Sequence, residues 1–259
     1  MYEVVSPMHP DKIADRIAGA LVDLAYEKQD DPRIAVEVLI GHSECNIIAE
    51  TSCDFYPDEV REIVNRIADM PCRLHYKQVK QDPHLAANPN CGDNGIFRGV
   101  PWNREERELQ ELAAQYYEDC GFHDGKFLIC DDTTVVCQSH YLVSEVTDKL
   151  IINPLGPWTG GINVDTGATN RKLGSDMGRA VTGGGLHGKD IHKADVAVNV
   201  YLHMLAEIDH NEHEGYCHIG SEYVIIDSKP VKFSHIMDEA FKYIKNLGGF
   251  EKLAEWGLR

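Results

Sequence analysis

Between Ile152 and Asp195 the chain carries INPLGPWTGGINVDTGATNRK and then GGGLHGKDIHKAD, with hardly any bulky apolar side chain. Such a stretch cannot supply a hydrophobic core, so the fold must be built by the segments on either side. What it can do is handle a polyphosphate. Glycines let the backbone approach phosphate oxygens closely. Arg171, Lys172, Lys189 and Lys193 bring charges that neutralise them. Asp165 and Asp195 are left to hold a metal ion or a substrate amine.

The flanks are long enough for the task. A chain of 259 residues fills one large domain or two small ones. Its 43% hydrophobic and 26% charged content is that of an ordinary globular protein. The formal net charge of −17 argues against nucleic acid or an anionic membrane as the main partner. It also sets the basic cluster after Asn170 against the global sign, and a nucleotide reaching so acidic a protein would arrive with Mg²⁺. The eight cysteines form no Cys-x-x-Cys pair, and Cys45, Cys53, Cys130 and Cys137 lie in apolar, strand-like contexts, as reduced buried thiols do. Met1-Tyr2-Glu3 opens no signal peptide, and no apolar run reaches membrane-spanning length. The expected compartment is the cytoplasm.

Periodicity places the elements. His9-Pro10-Asp11-Lys12 leads into a helical stripe of Ile13, Ile17, Leu21 and Leu24. Residues 34–40 and 45–52 read as strands, 58–70 as an amphipathic helix and 74–79 as a further strand. Residues 81–99 lack periodicity and read as a loop long enough to be functional. A charged helix over 104–119 precedes a hairpin of 127–130 and 134–140. Beyond the glycine-rich region come a helix from about 190 to 208, strands at 217–221 and 223–227, and helices at 233–247 and 250–256. Strands recurrently followed by a helix predict an α+β fold of repeated units, sheets inward and helices outward.

Single motifs say little. His9 and Asp11 flank a proline at a helix start, where a phosphate or leaving-group oxygen and Mg²⁺ would be served; Asp11 as a plain first-turn acid is the ordinary alternative. Gly183 to Lys189 has P-loop spacing, but Asp190 stands where Ser or Thr should hold Mg²⁺, and too few residues follow for a parallel βαβ sheet. Asp93 alone is a turn signal. Glu37 and Glu50, inside apolar strands, either alternate onto a solvent face or are paired.

In their order along the chain, these pieces resemble the S-adenosylmethionine synthetase (methionine adenosyltransferase) family. His9-Pro10-Asp11-Lys12 looks like its H-P-D-K entry, and Glu37 and Glu50-Thr51-Ser52 lie at the spacing of its monovalent-cation and methionine acids. Gly92-Asp93-Asn94-Gly95 is similar to its G-D-Q-G, and Asp124-Gly125-Lys126 to its D-x-K. Ile152-Asn153-Pro154, Gly160-Gly161, Asp165 and Thr169-Asn170-Arg171-Lys172 follow I-N-P…G-G…D…T-G-R-K. Gly183 to Lys189, Lys193 and Asp195 follow G-G-G-x-x-G-K-D-x-x-K-x-D, in which Asp190 is the expected residue.

The resemblance implies three pseudo-repeated units of sheet and outer helix, over 1–100, a reduced 101–150, and 151–259 with the phosphate loop. It implies that methionine sulfur attacks C5′ of ATP and displaces triphosphate, which is then cleaved to pyrophosphate and phosphate. His9 would sit at the breaking C5′–oxygen bond. His9, Asp93, Asp124, Lys126, Arg171, Lys172 and Lys189 would hold ATP and its phosphates, with His9, Lys126, Arg171 and Lys189 catalytic. Glu50, Gln81, Asp165 and Lys193 would bind methionine, Asp11 and Asp195 Mg²⁺, and Glu37 K⁺. A homodimer or dimer of dimers would share sites across its interface. Against the family pattern, Met8 and Asn170 replace glycines, Ile151 an aromatic and Pro157 an arginine, and the chain is markedly shorter. A triphosphatase, a transferase to another thioether, or a non-catalytic nucleotide-binding subunit remain alternatives.

Overall fold

The computed structural model describes residues 1–90, 94–182 and 184–258. The elements run β1 (Tyr2–Val5), α1 (Pro10–Lys28), β2 (Ile34–Gly41), β3 (Glu44–Thr51), α2 (Pro57–Ala68), β4 (Arg73–Val79), α3 (Pro83–Ala86), β5 (Gly95–Gly99) and α4 (Arg104–Asp119). They continue with β6 (Gly125–Cys130), β7 (Thr133–Gln138), β8 (Glu145–Val146), β9 (Leu150–Ile152), β10 (Thr166–Ala168), α5 (Leu173–Met177) and α6 (Ala194–Asp209). The end of the chain forms β11 (His213–Cys217), β12 (Tyr223–Ile226), β13 (Lys229–Lys232), α7 (Phe233–Leu247) and α8 (Phe250–Trp256).

These make three sheets, ordered β1-β6-β7-β9-β8, β10-β2-β3-β4 and β13-β12-β11-β5. The α+β class with three sheets is as the sequence predicts. Each sheet joins strands from distant stretches of chain: β1 pairs with β6, β10 with β2, and β5 with β11. The glycine-rich region is thus tied at β10 to the hairpin of the first hundred residues.

The second sheet shows how pattern sets orientation. Val36, Val38, Ile40, Cys45, Ile47 and Ala49 alternate inward against α1, while Glu37, Leu39, Ile48 and Glu50 alternate outward. The β2–β3 turn is made by His42 and Ser43, both at positive φ, which matches the twist of the strands. α2 crosses over to bring β4 parallel to β3. The main core gathers Ile13, Ile17 and Leu21 of α1, the inner face of this sheet, the buried α6 and the stripe Phe233, Ile236, Ala240 and Ile244 of α7. A smaller core of Val4, Leu109, Ala113, Phe127, Val136 and Ile152 lies between the first sheet and α4.

The sequence expectation fails where strands are short and polar. The stretch 81–99, expected as a loop, holds α3 and β5, because β5 gains a five-residue ladder against β11 that its own composition does not announce. The strand expected at 217–221 lies at His213–Cys217, and the polar β13 closes a further hairpin through positive-φ Asp227 and Ser228. The sixth helix begins at Ala194 rather than near 190 because Asp190 turns back to accept the His192 N–H.

Candidate active site

The head of α1 is where the chemistry collects. His9 is its N-cap, and Pro10 presets the first turn. Gly167 of β10 packs on that turn: a Cβ there would lie 2.0 Å from the Pro10 carbonyl, so glycine is required. This approach delivers the Ala168 N–H to Asp11 Oδ1 at 2.9 Å. Arg171 Nε and Lys172 Nζ then stand 3.6 and 3.5 Å from the same carboxylate. The basic dipeptide is therefore held against the helix start by backbone pairing.

His9 is buried, and its Nδ1 accepts the Asp11 N–H at 3.2 Å. That assigns the imidazole hydrogen to Nε2, which is buried and meets no partner among the described residues. Burial pushes its pKa down to about 3, helped by the ammoniums of Lys126, Lys172 and Lys12 against the pull of Asp165. The nearby Asp11 carboxylate, 3.7 Å from Nδ1, does not make this an ion pair, because the ring is neutral. His9 is a fixed, uncharged donor.

Asp124, at the entry to β6, accepts the Gly161 N–H at 2.9 Å through Oδ2. Burial lifts its pKa to about 6, while the Gly161 N–H and Lys126 act in the opposite sense. A Cβ on Gly160 would meet Asp124 Oδ2 at 2.6 Å, so the Gly160-Gly161 pair is what lets this loop close over the carboxyl. Lys126 extends from β6 as an exposed side chain, and Asp165 is exposed with its Oδ1 accepting the Thr166 N–H. A cavity of about 250 Å³ opens beside Asp124, lined among others by Met8, Phe122, His123, His140 and Gly161.

The structure thus brings His9, Asp11, Asp124, Lys126, Asp165, Arg171 and Lys172 into one charged cluster, the cleft of the site. Lys189 lies beneath it. Its ammonium is buried and donates to Asp15 Oδ1, which also accepts the Asn170 N–H at 3.3 Å. Asp195 is buried on α6, its Oδ2 accepting the His187 N–H at 3.1 Å. Lys193 caps that helix through its backbone. Glu37 lies on the exposed face of the second sheet and is bonded by the Thr169 hydroxyl, and Glu50 stands on the same face one strand away. Gln81 Nε2 donates to Asp190 Oδ2 at 2.9 Å. Asp93 lies outside the described residues, as does Gly183.

Asp15 went unread in the sequence, and Asn170 was read only as a departure from the resembled pattern. Asp15 follows Asp11 by one helical turn, and this i, i+4 spacing on a largely apolar helix is the signal that could have found it. Asn170 stands at φ 63°, a left-handed position that asparagine tolerates, and its Oδ1 accepts the Leu186 N–H at 3.1 Å.

For metals, no three His, Cys, Asp or Glu side chains among the described residues are placed to hold an ion together. Asp11 and Asp195 are single oxygen donors. A lone carboxylate is the kind of donor that Mg²⁺ takes when phosphate and water fill its remaining positions. A larger cavity, about 670 Å³, lies away from the cleft between α1, α2 and the α7–α8 corner. Three of its charged groups are engaged within the chain: Arg66 bonds Glu251, and Asp23 caps α8.

Fold and side chains define a class: a three-sheet α+β protein with basic and acidic groups gathered at the head of its first helix. Residues 1–86 match the model of the S-adenosylmethionine synthetase N-terminal domain. The S-adenosylmethionine synthase of Fusobacterium nucleatum is 25% identical over 304 residues, covering 88% of this chain and 77% of its own. That of Sulfurovum is 27% identical over 265 residues, covering 74% and 68%. A solved structure described as an unusual S-adenosylmethionine synthetase from Campylobacter jejuni superposes with a TM-score of 0.75 at 18% identity, over 100% of this chain and 94% of that one, a likeness in fold. These likenesses all point one way: the chain resembles the S-adenosylmethionine synthetase family in its first 86 residues and, at low identity, along most of its length.

Proposed function

We propose that this chain is a methionine adenosyltransferase, moving the adenosyl group of ATP to the sulfur of L-methionine and expelling triphosphate, which is then hydrolysed to pyrophosphate and phosphate. The observation that carries this is His9: a neutral imidazole with a buried, unpartnered Nε2–H, set beside Lys126 and Lys172 and next to the Asp11 that Arg171 approaches. Displacement at carbon needs the sulfur and C5′ aligned and the departing polyanion stabilised. A thioether has no proton to lose, so no general base is required. A site rich in cations, with one neutral donor and no activated nucleophile, matches that demand.

In this reading His9 Nε2–H bonds the leaving oxygen, and Lys126, Arg171 and Lys172 hold the triphosphate. Lys189 acts through Asp15 on the turn that carries Arg171, and Asp93 adds to the phosphate side. Asp124 and the adjoining cavity take the adenosine. Glu50, Gln81, Asp165 and Lys193 recognise methionine, whose ammonium suits the acids. Asp11 and Asp195 would hold Mg²⁺, which when bound neutralises the phosphate charge, and Glu37 would hold K⁺. The exposed sheet faces, with Leu39, Ile48, Ile96 and Tyr216 half or more exposed, support a homodimer. Free thiols at Cys45, Cys53 and Cys72 support a reducing, cytoplasmic setting.

The test is incubation of the purified chain with ATP, methionine, Mg²⁺ and K⁺. S-adenosylmethionine with equimolar phosphate and pyrophosphate is expected. Cleavage of added tripolyphosphate without that product would replace this reading with a triphosphatase.

A further inference from the structure

The segment from Asp190 to Ala194 grips both ends of the stretch that begins at Gln81. At one end Gln81 Nε2 donates to Asp190 Oδ2 at 2.9 Å. At the other, Asn90 Oδ1 accepts the Ala194 N–H at 3.1 Å, and Asn90 Nδ2 donates to the His218 carbonyl. Between them lie the exposed α3 and its cap, Asp82, whose Oδ1 accepts the His84 and Leu85 N–H groups. The stretch has few buried contacts of its own, so the two grips decide where Gln81 points.

The Asp190 grip is itself oriented. Asp190 is fully buried, and its Oδ1 is 3.1 Å from Nδ1 of His192 and accepts the His192 N–H at 3.0 Å. The other ring nitrogen, Nε2, is 2.9 Å from Asp31 Oδ1. Asp31 follows the end of α1 at φ 50° and is exposed, whereas the His192 ring is buried. A four-residue relay therefore runs Asp31–His192–Asp190–Gln81, from beyond the end of the first helix to the start of the 81–90 stretch. A carboxylate held on one oxygen by an imidazole and a backbone N–H presents its other oxygen in a fixed direction.

We propose that His192 is a positioning residue that sets Gln81 for substrate recognition by fixing Asp190, with Asp31 anchoring the far side of its ring. The part of this that concerns methionine rests on the proposed activity. The grip on the 81–90 stretch does not.

Two measurements on the full-length chain test it. In the ligand-free protein, His192→Leu raises amide exchange over residues 82–88 about tenfold, the effect of losing one charge-assisted hydrogen bond, and leaves β11 and β12 unchanged. His192→Asn, whose amide can still donate to Asp190, stays within about twofold of the native chain. Asp31→Ala removes an exposed group, spares the fold, and gives about threefold faster exchange. In turnover, His192→Leu raises the KM for methionine about tenfold, while kcat and the KM for ATP hold within about twofold. Unchanged exchange in both His192→Leu and Asp31→Ala would overturn the grip, even in a chain that turns nothing over. Faster exchange with an unchanged methionine KM would overturn the recognition role alone. A parallel fall in kcat and thermal stability in His192→Asn would reduce His192 to a structural residue.

Discussion

Arg171 and Lys172 sit above the first helix, Lys12 and Lys189 beneath the cleft, and the two pairs differ in what surrounds them. Arg171 is more than half exposed and approaches Asp11 at 3.6 Å, too far for a hydrogen bond. Lys12 and Lys189 are buried, and each is bonded directly to a buried carboxylate, Asp176 and Asp15. Burial pushes the Asp176 pKa up and the Lys12 ammonium pulls it back, so the pair persists only because each charge has the other. A basic side chain is therefore open to solvent in one layer and committed to a buried carboxylate in the other. Motif matching treats Lys189 and Arg171 alike; burial separates them.

The largest test of that separation is Lys189→Ala. It strands the Asp15 carboxylate in a buried site, which costs about 3–5 kcal/mol and lowers the melting temperature by roughly 10 °C. Arg171→Ala should leave stability within about 0.5 kcal/mol, yet weaken tripolyphosphate binding at least about tenfold. Thermal melts and tripolyphosphate titrations on both variants check the contrast. Should Lys189→Ala melt like the native chain and lose affinity instead, the buried lysine is a ligand group after all and the two layers merge.

A second, smaller effect separates His9 from Asp124 by pH. The folded pKa of His9, about 3, lies below its ordinary 6.5, so its contribution is present above pH 6.5 and is lost as pH falls towards 3. The folded pKa of Asp124, about 6, lies above its ordinary 3.8, so its contribution is present below pH 3.8 and is lost as pH rises through 6. Urea midpoints at pH 4, 5, 6 and 7 read both. His9→Asn keeps a helix cap and should flatten the acid-side loss, and Asp124→Asn should flatten the loss towards neutrality, each on the order of 2 kcal/mol. Profiles parallel to the native one would show that burial is not what sets either group.

The long elements were legible because their patterns are redundant. The stripe of Ile13, Ile17 and Leu21 and the alternation of Val36, Val38 and Ile40 each repeat a period several times. β5 and β13 were not, since Gly95, Arg98, Lys229 and Lys232 carry no strand pattern, and what makes them strands is the partner beside them. At the site, composition pointed to polyphosphate binding, and the motifs drew His9 and Asp11 to Arg171 and Lys172. Depth was invisible in both cases. Nothing in Gly188-Lys189-Asp190 says that the lysine turns inward to Asp15 while Asp190 turns towards Gln81 and His192. Those directions are set by positive φ at Gly188 and Lys189, a property of the folded loop.

The smallest effect concerns the hinge between the two layers, Asn170, whose N–H reaches Asp15 below while Arg171 follows it into the cleft. The family pattern has glycine there. Glycine would relieve the cost of holding φ at 63°, a small cost for asparagine, but would remove the Oδ1 acceptor from the Leu186 N–H. A part-buried N–H left without a partner costs about 1–3 kcal/mol, so the loss outweighs the relief and Asn170→Gly should be destabilised by about 1 kcal/mol. Asn170→Ala loses the same bond and adds left-handed strain, so it should fall further, by about 2 kcal/mol. The order Asn above Gly above Ala in chemical denaturation is the expectation. Glycine matching or exceeding asparagine would mean that the Leu186 bond holds nothing, and that Lys189 and Asp15 alone join the buried layer to the cleft.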